Sequence, residues 1–421
     1  MIKQRSPKFK SSFAIDEKGM FDLACSLISK KTINPPGDEY LVKDIVVKSM
    51  KELGMKVKII GNKKRPNILG EIGNGYPSIA ILCHMDVVPP GRDWKTDPFK
   101  PTIKNGRLYG RGACDDKGPY AASWAAIKAV LKKGKLKGKI ILGAVADEEK
   151  GSEKGIKLLL KKRKLNCDFC FIPDGGKMHE AVIGEKGMLW LKIASIGKSA
   201  HGSNPPKGIN AITNMFEFLP NVTKLKINTP LEVRTKGAAV PTSRRDLLLT
   251  GFTPITINLG EIKGGDAPNI VPSYCESTID IRYPLGIKKK EIIKKIKLLI
   301  NSFNRKNKGN NISLKEIFQD TSPHLLNINK NPFLKTFLEA SEEVGEDLPA
   351  PTLRRSKQAR MKFVTIGGNS VGKLLYFAGI PSFSHSPEDI PAAHQANESV
   401  SLKNLKKCAI LWAKFLEKMI L

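Results

Sequence analysis

The sequence lacks the long apolar runs that would place it in a membrane or outside the cell. No stretch reaches the ~18 uncharged apolar residues of a membrane-spanning helix, and the basic N-terminal segment contains no apolar core of the ~7–15 residues typical of a signal peptide. Its seven cysteines are odd in number and scattered, which excludes a disulfide framework and fits a reducing compartment. Cys167 and Cys170 form an isolated C-x-x-C pair, which we interpret as structural. We therefore expect a cytoplasmic protein with no membrane segment.

Acidic residues are scarce, since 40 Asp and Glu stand against 71 Lys and Arg and leave a formal net charge of +31. Such a balance is typical of proteins that bind nucleic acids or acidic surfaces. The lysines, however, are spread over the whole length, and no zinc-finger, helix-turn-helix or aromatic RNA-binding pattern accompanies them. The densest run, Lys288–Lys297, carries Ile292, Ile293 and Ile296 at helical spacing, which predicts an amphipathic helix with a solvated basic face. A non-catalytic protein that binds nucleic acid is thus a remote alternative, and we expect no nucleic-acid partner.

The length of 421 residues exceeds one ordinary domain of ~100–200 residues. Up to residue 186, short apolar runs bounded by Gly, Pro and Asp alternate with segments of helical periodicity, which predicts an α/β fold with a mainly parallel sheet and helices on both faces. Alternating strand patterns and basic helices follow in 187–318, and α/β character returns in 319–421. We expect a catalytic domain of residues 1–186 plus 319–421, with an inserted α+β lid or dimerisation domain at 187–318.

Histidine is also scarce, at six residues, and one of the six belongs to a group of acidic residues that follow predicted strands. Because the carboxyl ends of parallel strands form the edge where open α/β sheets bind ligands, we expect this group to gather at one edge. Its members are His84 and Asp86 after SIAILC, Asp115 and Asp116 in the glycine-rich loop before a helix, Asp147, Glu148 and Glu149 after KIILGAVA, and Asp174 after DFCFI.

So many carboxylates at one edge would repel each other unless cations lay among them. Mixed nitrogen and oxygen ligands suit zinc, with cobalt or manganese as alternatives. Strand alternation would put His84 and Asp86 on one face, so that Asp86 accepts a hydrogen bond from the ring nitrogen that faces away from the metal. Spacing alone does not settle which of the acids in 147–149 does which job.

In these segments the sequence resembles the metallopeptidase family of zinc aminoacylases, acetylornithine deacetylases, succinyl-diaminopimelate desuccinylases and dipeptidases. The resemblance covers nearly the whole chain and is carried, in the family's order, by HMDVVP, GRGACDDKG, ADEEKGS, PDGG, GKSAHGSNPPKGINA, GGDAPNIVPSYCESTIDIR and HQANE. It implies two zinc ions, with Glu148 as the general base and a cis peptide bond between Asp115 and Asp116. Its implied ligands are His84 and Asp174 for one ion, Glu149 and His394 for the other, and Asp115 for both.

His394 has a competitor nine residues earlier in the chain, His385. A lone histidine in AAHQANES is more often a surface or capping residue than a ligand. The family's closing His-x-x-Asn-Glu pattern matches His394 and favours it.

The resemblance also implies a set of substrate contacts and a homodimer formed through the inserted domain. In many family members the lid histidine helps to hold the oxyanion from the partner subunit. An arginine offers a bidentate fork to a substrate carboxylate, although a structural ion pair at a strand end explains the same arginine. The glycine pair permits close approach of backbone N–H groups, as in any tight turn. The implied contacts are His201, Asn269, Arg282, Gly367 and Gly368.

From these residues we expect a hydrolase that cleaves the amide bond of an N-acyl amino acid with a free carboxylate. Glu148 would take a proton from a hydroxide-forming water between the two ions and return it to the leaving amine. A dipeptidase is the alternative, and it needs a carboxylate for the substrate ammonium. Asp116 and Glu180 are the candidates for that carboxylate.

Overall fold

The computed structural model describes residues 13–227, 254–306, 309, 311–344, 361–368, 370–388 and 392–421. Asn369, within the predicted glycine loop, lies outside them. The helices are α1 (Glu17–Ile28), α2 (Lys43–Glu52), α3 (Lys117–Leu131), α4 (Ile156–Lys161), α5 (Ala211–Thr223), α6 (Lys289–Lys306), α7 (Pro332–Val344), α8 (Val371–Phe377) and α9 (Leu402–Ile420). Across the described ranges, no helix has the length and apolar content to span a membrane.

The strands form three sheets. They are β1 (Lys56–Gly61), β2 (Pro66–Gly73), β3 (Ser78–His84), β4 (Thr102–Lys104), β5 (Arg107–Tyr109), β6 (Lys139–Val145), β7 (Phe169–Ile172), β8 (Glu180–Glu185), β9 (Gly187–Ile196), β10 (Thr256–Gly264), β11 (Tyr274–Tyr283), β12 (Asn311–Thr321), β13 (His324–Leu325), β14 (Lys362–Ile366), β15 (Ser382–Ser384) and β16 (Ser399–Ser401).

The largest sheet has nine strands, and its middle is parallel. The order is β1-β2-β6-β3-β7-β15-β8-β13, with β14 added beside β8. β3 runs parallel to both β6 and β7, and β7 runs parallel to β15, whereas β1, β2 and β13 pair antiparallel at the flanks. The predicted α/β class is confirmed, with antiparallel strands added on both sides of the parallel centre.

Helices cover both faces of this sheet, because its central strands are apolar on both sides. Six of the seven residues of β3 are buried. One face packs against a core that includes α1, α2, α3, α7 and α9, and the other against a smaller core with residues of α4 and α8. This two-faced burial explains why these strands lack the polar alternation of a half-exposed strand.

A separate four-stranded antiparallel sheet has the order β10-β11-β9-β12 and its own core with α5 and α6. The lysine-rich segment belongs to α6, which buries Ile292, Ile296 and Ile300, so the predicted amphipathic helix is confirmed. β12 continues to Thr321, beyond residue 318. The division into two domains stays a prediction.

A buried lysine connects the two sheets where the chain passes between them. Lys373 in α8 is 1% exposed. Its Nζ donates hydrogen bonds to the carbonyl of Lys186, between β8 and β9, at 2.6 Å and to the hydroxyl of Thr321, at the end of β12, at 3.3 Å. Glu185 Oε2 lies 3.7 Å from the same Nζ.

His324 in β13 provides a test of how burial affects stability. Desolvation and the nearby Lys373 ammonium lower the pKa of His324 to about 4. The unfolded chain takes up a proton near pH ~6.5, so this residue's contribution to stability is fully present above that pH and is lost as pH falls towards 4. The unfolding free energy of the wild type should fall between pH ~6.5 and 4. We expect His324→Phe to make this fall smaller by up to about 3 kcal/mol.

Urea denaturation of the metal-free wild type and variant at several pH values measures this difference. Phenylalanine keeps the ring beside Tyr376, whose centroid lies 4.8 Å from that of His324. Parallel pH profiles for the two proteins would contradict the assignment.

Candidate metal centre

Three neighbouring parallel strands deliver acidic and imidazole groups to one edge of the large sheet. β3 ends at His84, β6 ends just before Asp147, and β7 ends just before Asp174. Asp115 precedes α3 and is joined to Asp116 by a cis peptide bond, as the resemblance implies. The structure therefore brings the predicted group together at the expected edge.

Two triads of possible ligands share Asp115. They are His84, Asp115 and Asp174, and Asp115, Glu149 and His394, and within each triad the ligand atoms lie within 4.8 Å of one another. Asp115 Oδ1 lies 2.7 Å from His84 Nε2, and its Oδ2 lies 3.1 Å from His394 Nε2. His394 Nε2 is also 3.0 Å from Glu149 Oε2. One oxygen of the Asp115 carboxylate thus lies beside His84 of the first triad and the other beside His394 of the second. This arrangement fits a ligand that bridges two ions.

The pKa values of the acidic and imidazole groups in the site are those expected where cations bind. Desolvation and the Asp115 carboxylate raise the pKa of Asp174 to about 7. Desolvation, with Asp174 and Glu149 close by, raises the pKa of Glu148 well above its usual value. Hydrogen bonds to Asp115 and Glu149 raise the pKa of His394 to about 10. By themselves these groups balance their charges by holding protons, and divalent ions would displace those protons on binding.

Asp86 orients the site differently from the sequence-based expectation. The Nδ1 of His84 lies 2.9 Å from the backbone carbonyl of Asp86, whereas the carboxylate Oδ1 is 3.7 Å away, too far for a hydrogen bond. The expected bond to the carboxylate is therefore wrong. The carboxylate instead accepts the backbone N–H groups of Glu148 and Glu149, each at 3.1 Å.

Glu398 and Arg111 fix the loop that carries Asp115, and sequence reasoning missed both roles. Glu398 Oε1 accepts N–H groups from Gly112 and Cys114 at 3.0 Å and from Asp115 at 3.3 Å. Its Oε2 accepts from Arg111 Nη1 at 2.6 Å. Both residues are 1% exposed. The sequence did contain a signal for these roles, because Arg111 lies in GRGACDDKG and Glu398 in HQANE, two of the motifs that carry the family resemblance.

His385, the competitor of His394, lies in the core. It is fully buried, its Nδ1 accepts from Trp412 Nε1 at 3.1 Å, and its Nε2 lies 3.2 Å from the carbonyl of Met178. Desolvation lowers the pKa of His385 to about 4. Both ring nitrogens are thus engaged away from the triads.

We expect His394→Ala to weaken the binding of one ion by more than the about 10- to 100-fold that loss of a supporting residue costs, because His394 is predicted to be a direct ligand. His385→Asn should keep both ions and lose stability. Zinc content after dialysis against a weak chelator measures this. Retention of both ions by His394→Ala, with loss in His385→Asn, would reverse the assignment.

The predicted substrate contacts fall into two groups. Arg282 lies beside the glycine loop, where its Nη1 donates to the carbonyl of Gly367 at 3.0 Å. Its Nε and Nη2 donate to the Asp280 carboxylate at 2.8 to 3.0 Å, so the structural ion pair considered from sequence is present. His201 and Asn269 are exposed and lie together in the four-stranded unit, where the His201 ring bonds Ser203 at 2.7 Å.

Comparison with known proteins places this geometry in a family. The model of peptidase family M20/M25/M40 matches residues 80–418. The chain belongs to this family. The M20 family consists of metal-dependent hydrolases, so the chain is a metallohydrolase that acts on amide or peptide bonds.

Individual M20 relatives cover most of the chain. It is 27% identical over 419 residues to a succinyl-diaminopimelate desuccinylase of Buchnera aphidicola, which spans 96% of this chain and 99% of the relative. It is 30% identical over 373 residues to an uncharacterised metallohydrolase of Methanocaldococcus jannaschii, with 84% of each chain covered. The solved structure of a Staphylococcus aureus tripeptidase shares the fold, with a TM-score of 0.74 at 21% identity over 96% of this chain and 99% of that one.

Proposed function

We propose that this M20 metallohydrolase is a two-metal deacylase that releases the acyl group from an N-acyl amino acid with a free carboxylate. Zinc is the proposed metal, with cobalt or manganese as alternatives. The observation that carries the proposal is the pair of triads sharing Asp115, with Glu148 next in the chain to Glu149 and both backbone N–H groups bonded to the Asp86 carboxylate.

The ligand set follows the two triads. His84 and Asp174 would hold one ion, Glu149 and His394 the other, and Asp115 would contribute one oxygen to each. When bound, such ions acidify a water molecule and polarise the scissile carbonyl.

Glu148 is the proposed general base. Its backbone N–H is bonded to Asp86, which fixes where its side chain begins. The carboxylate would accept a proton from the attacking water and deliver it to the nitrogen of the leaving amine. In this second step Glu148 acts as an acid.

The preference for an N-acyl substrate over a dipeptide rests on Asp116. Asp116 is fully buried, and its Oδ2 accepts the backbone N–H of His84 at 3.1 Å, so it cannot meet a substrate ammonium as a dipeptidase would need. Arg282, beside the loop at Gly367 and Gly368, would bind the free carboxylate that N-acyl amino acids and dipeptides share.

We also propose that residues 187–318 form a lid and dimerisation domain. His201 and Asn269 are exposed, and their described contacts lie within the four-stranded unit. The proposed roles of His201 in holding the oxyanion and of Asn269 in contacting the substrate therefore fit the active site of a second copy.

Hydrolysis of a small panel by zinc-loaded protein tests the function. The panel contains N-acetylornithine, N-succinyl-diaminopimelate, N-acetylmethionine and several dipeptides, and chelated protein is the control. Turnover of an N-acyl amino acid is the expected result. Turnover of dipeptides alone would replace the proposal by a dipeptidase, and no turnover would reject the substrate class.

A further inference from the structure

The turn that carries Glu148 and Glu149 begins with an unfavourable backbone conformation. Asp147 has φ 65 and lies in the left-handed region. For a residue with a side chain this conformation is unfavourable, and it persists only where surrounding contacts hold it. Asp147 is 5% exposed, so those contacts are protein groups.

Four groups hold Asp147 through its side chain and its N–H. Its Oδ1 accepts from Arg65 Nη2 at 3.1 Å and from Asn34 Nδ2 at 3.2 Å. Its Oδ2 accepts from the backbone of Lys154 at 2.9 Å. Its own N–H donates to Glu39 Oε1 at 3.1 Å. The position of the turn is thus fixed from several directions.

Arg65 and Glu39 form a bidentate pair behind this turn. Arg65 Nε lies 2.5 Å from Glu39 Oε2, and Arg65 Nη2 lies 2.6 Å from Glu39 Oε1. The two side chains are 6% and 1% exposed. Because desolvation offsets most of the attraction, a buried pair of this kind is weak evidence for a stabilising role. The planar Arg65 guanidinium, however, holds the Glu39 carboxylate in a defined orientation through two parallel hydrogen bonds.

Asn34 links the two carboxylates that flank the ligands. Its Nδ2 donates to Asp86 Oδ2 at 2.8 Å as well as to Asp147 Oδ1. Asp86 in turn accepts the backbone N–H groups of Glu148 and Glu149. The Asn34 amide therefore connects Asp147, at the start of the turn, with Asp86, which binds the backbone of the turn.

We propose that Arg65, Glu39 and Asn34 are positioning residues that set the geometry of Glu148 and Glu149 through Asp147 and Asp86. The inference rests on the proposed roles of Glu148 as base and Glu149 as ligand. Within the described part of the chain, the side-chain hydrogen bonds of these three residues go to Asp147, Asp86, Pro36 and each other, and not to the side chain of a proposed ligand. Their effect is on where the base and one ligand point.

The test uses Arg65→Met, which keeps the apolar stem and removes the fork, and Asn34→Leu, which has nearly the size of the asparagine side chain, removes its donors and adds no charge. For each zinc-loaded variant we expect kcat to fall about 10- to 100-fold with KM within about threefold. The dissociation constant of one ion, that of the Glu149 and His394 site, should rise about 10- to 100-fold, while that of the other ion stays within about threefold. The visible absorption spectrum of the cobalt-loaded variants should change accordingly.

The matched control is Lys58→Met, which removes an exposed ion pair with Glu71 across β1 and β2, at 3.0 Å. This variant should keep kcat and both metal affinities within about twofold. If either positioning variant loses only thermal stability and keeps both metal affinities and the cobalt spectrum, the residues are structural and the inference fails. If Arg65→Met does not fold, Asn34→Leu decides alone.

The metal readouts separate this inference from the proposed function. They need no substrate, so they remain decisive if the wild type hydrolyses nothing in the panel. Turnover of the panel with unchanged metal affinities in both variants would reject the positioning role and leave the deacylase standing.

Discussion

Replacing Glu148 with glutamine is expected to reduce turnover by about 10²- to 10⁴-fold while both metal ions stay bound. The amide has nearly the size of the carboxylate but cannot accept the proton of the attacking water. The ligands of both triads remain, and the bonds from Asp86 to the backbone of Glu148 and Glu149 do not depend on the side chain that changes. Steady-state kinetics and zinc content measured on the same sample test the two halves of this expectation.

Glu153→Gln is the control for this experiment. Glu153 lies in the same segment, is 72% exposed at its side chain and pairs with Lys157. Its loss should leave turnover within about twofold of the wild type. If Glu148→Gln itself retains activity within about tenfold, the assignment of the base is wrong.

Replacing Asp115 with asparagine should remove both ions together. Asp115 is the one residue common to the two triads, and its two oxygens face His84 and His394 separately. An amide lacks the charge that both sites need and can offer only one carbonyl oxygen. We expect zinc content to fall from two ions to almost none and turnover to fall by at least about 10³-fold.

Asp168→Asn distinguishes this effect from a general loss of acidic charge. Asp168 precedes β7 and accepts hydrogen bonds from the N–H and hydroxyl of Ser78 at the start of β3, on the opposite edge of the sheet from the triads. This variant should keep both ions. An Asp115→Asn protein that still holds one ion tightly would show that the carboxylate does not bridge.

The sequence predicted that His84 and the acidic residues after the strands gather at one edge, because parallel strands end at a common edge. The same reasoning failed at Asp86 for an identifiable reason. The alternation that puts residues i and i+2 on one face applies within a strand, and β3 ends at His84. Asp86 lies beyond that end, where its carboxylate turns to the backbone of Glu148 and Glu149 instead.

Alternation within a strand would have anticipated the ion pair of Arg282. Asp280 is two residues earlier in β11 and therefore on the same face. Sequence reasoning had left open a structural pair or a substrate contact. The structure contains the ion pair. It also places Arg282 against the carbonyl of Gly367, 85 residues away in the chain, and no local sequence pattern could reveal this contact.

The buried network around Asp147 could not be predicted from sequence. Arg65 meets Glu39 across 26 residues and Asp147 across 82, and Asn34 meets Asp147 across 113. Asp147 belongs to the ADEEKGS motif. Asn34, Glu39 and Arg65 belong neither to a periodic pattern nor to a motif that carries the family resemblance. Only the folded chain brings them together.

Lys373 has a consequence for how the two sheets can move. Its ammonium donates to a carbonyl between β8 and β9 and to a hydroxyl at the end of β12, the two places where the chain passes between the sheets. Glu185, close to the same ammonium, accepts hydrogen bonds from the N–H and hydroxyl of Ser370 beside the glycine loop. A rotation of the four-stranded sheet must therefore carry α8 and this loop with it or break buried hydrogen bonds. By thermodynamic linkage, a ligand that bound at the loop more tightly in one orientation of the sheet would favour that orientation by the same factor.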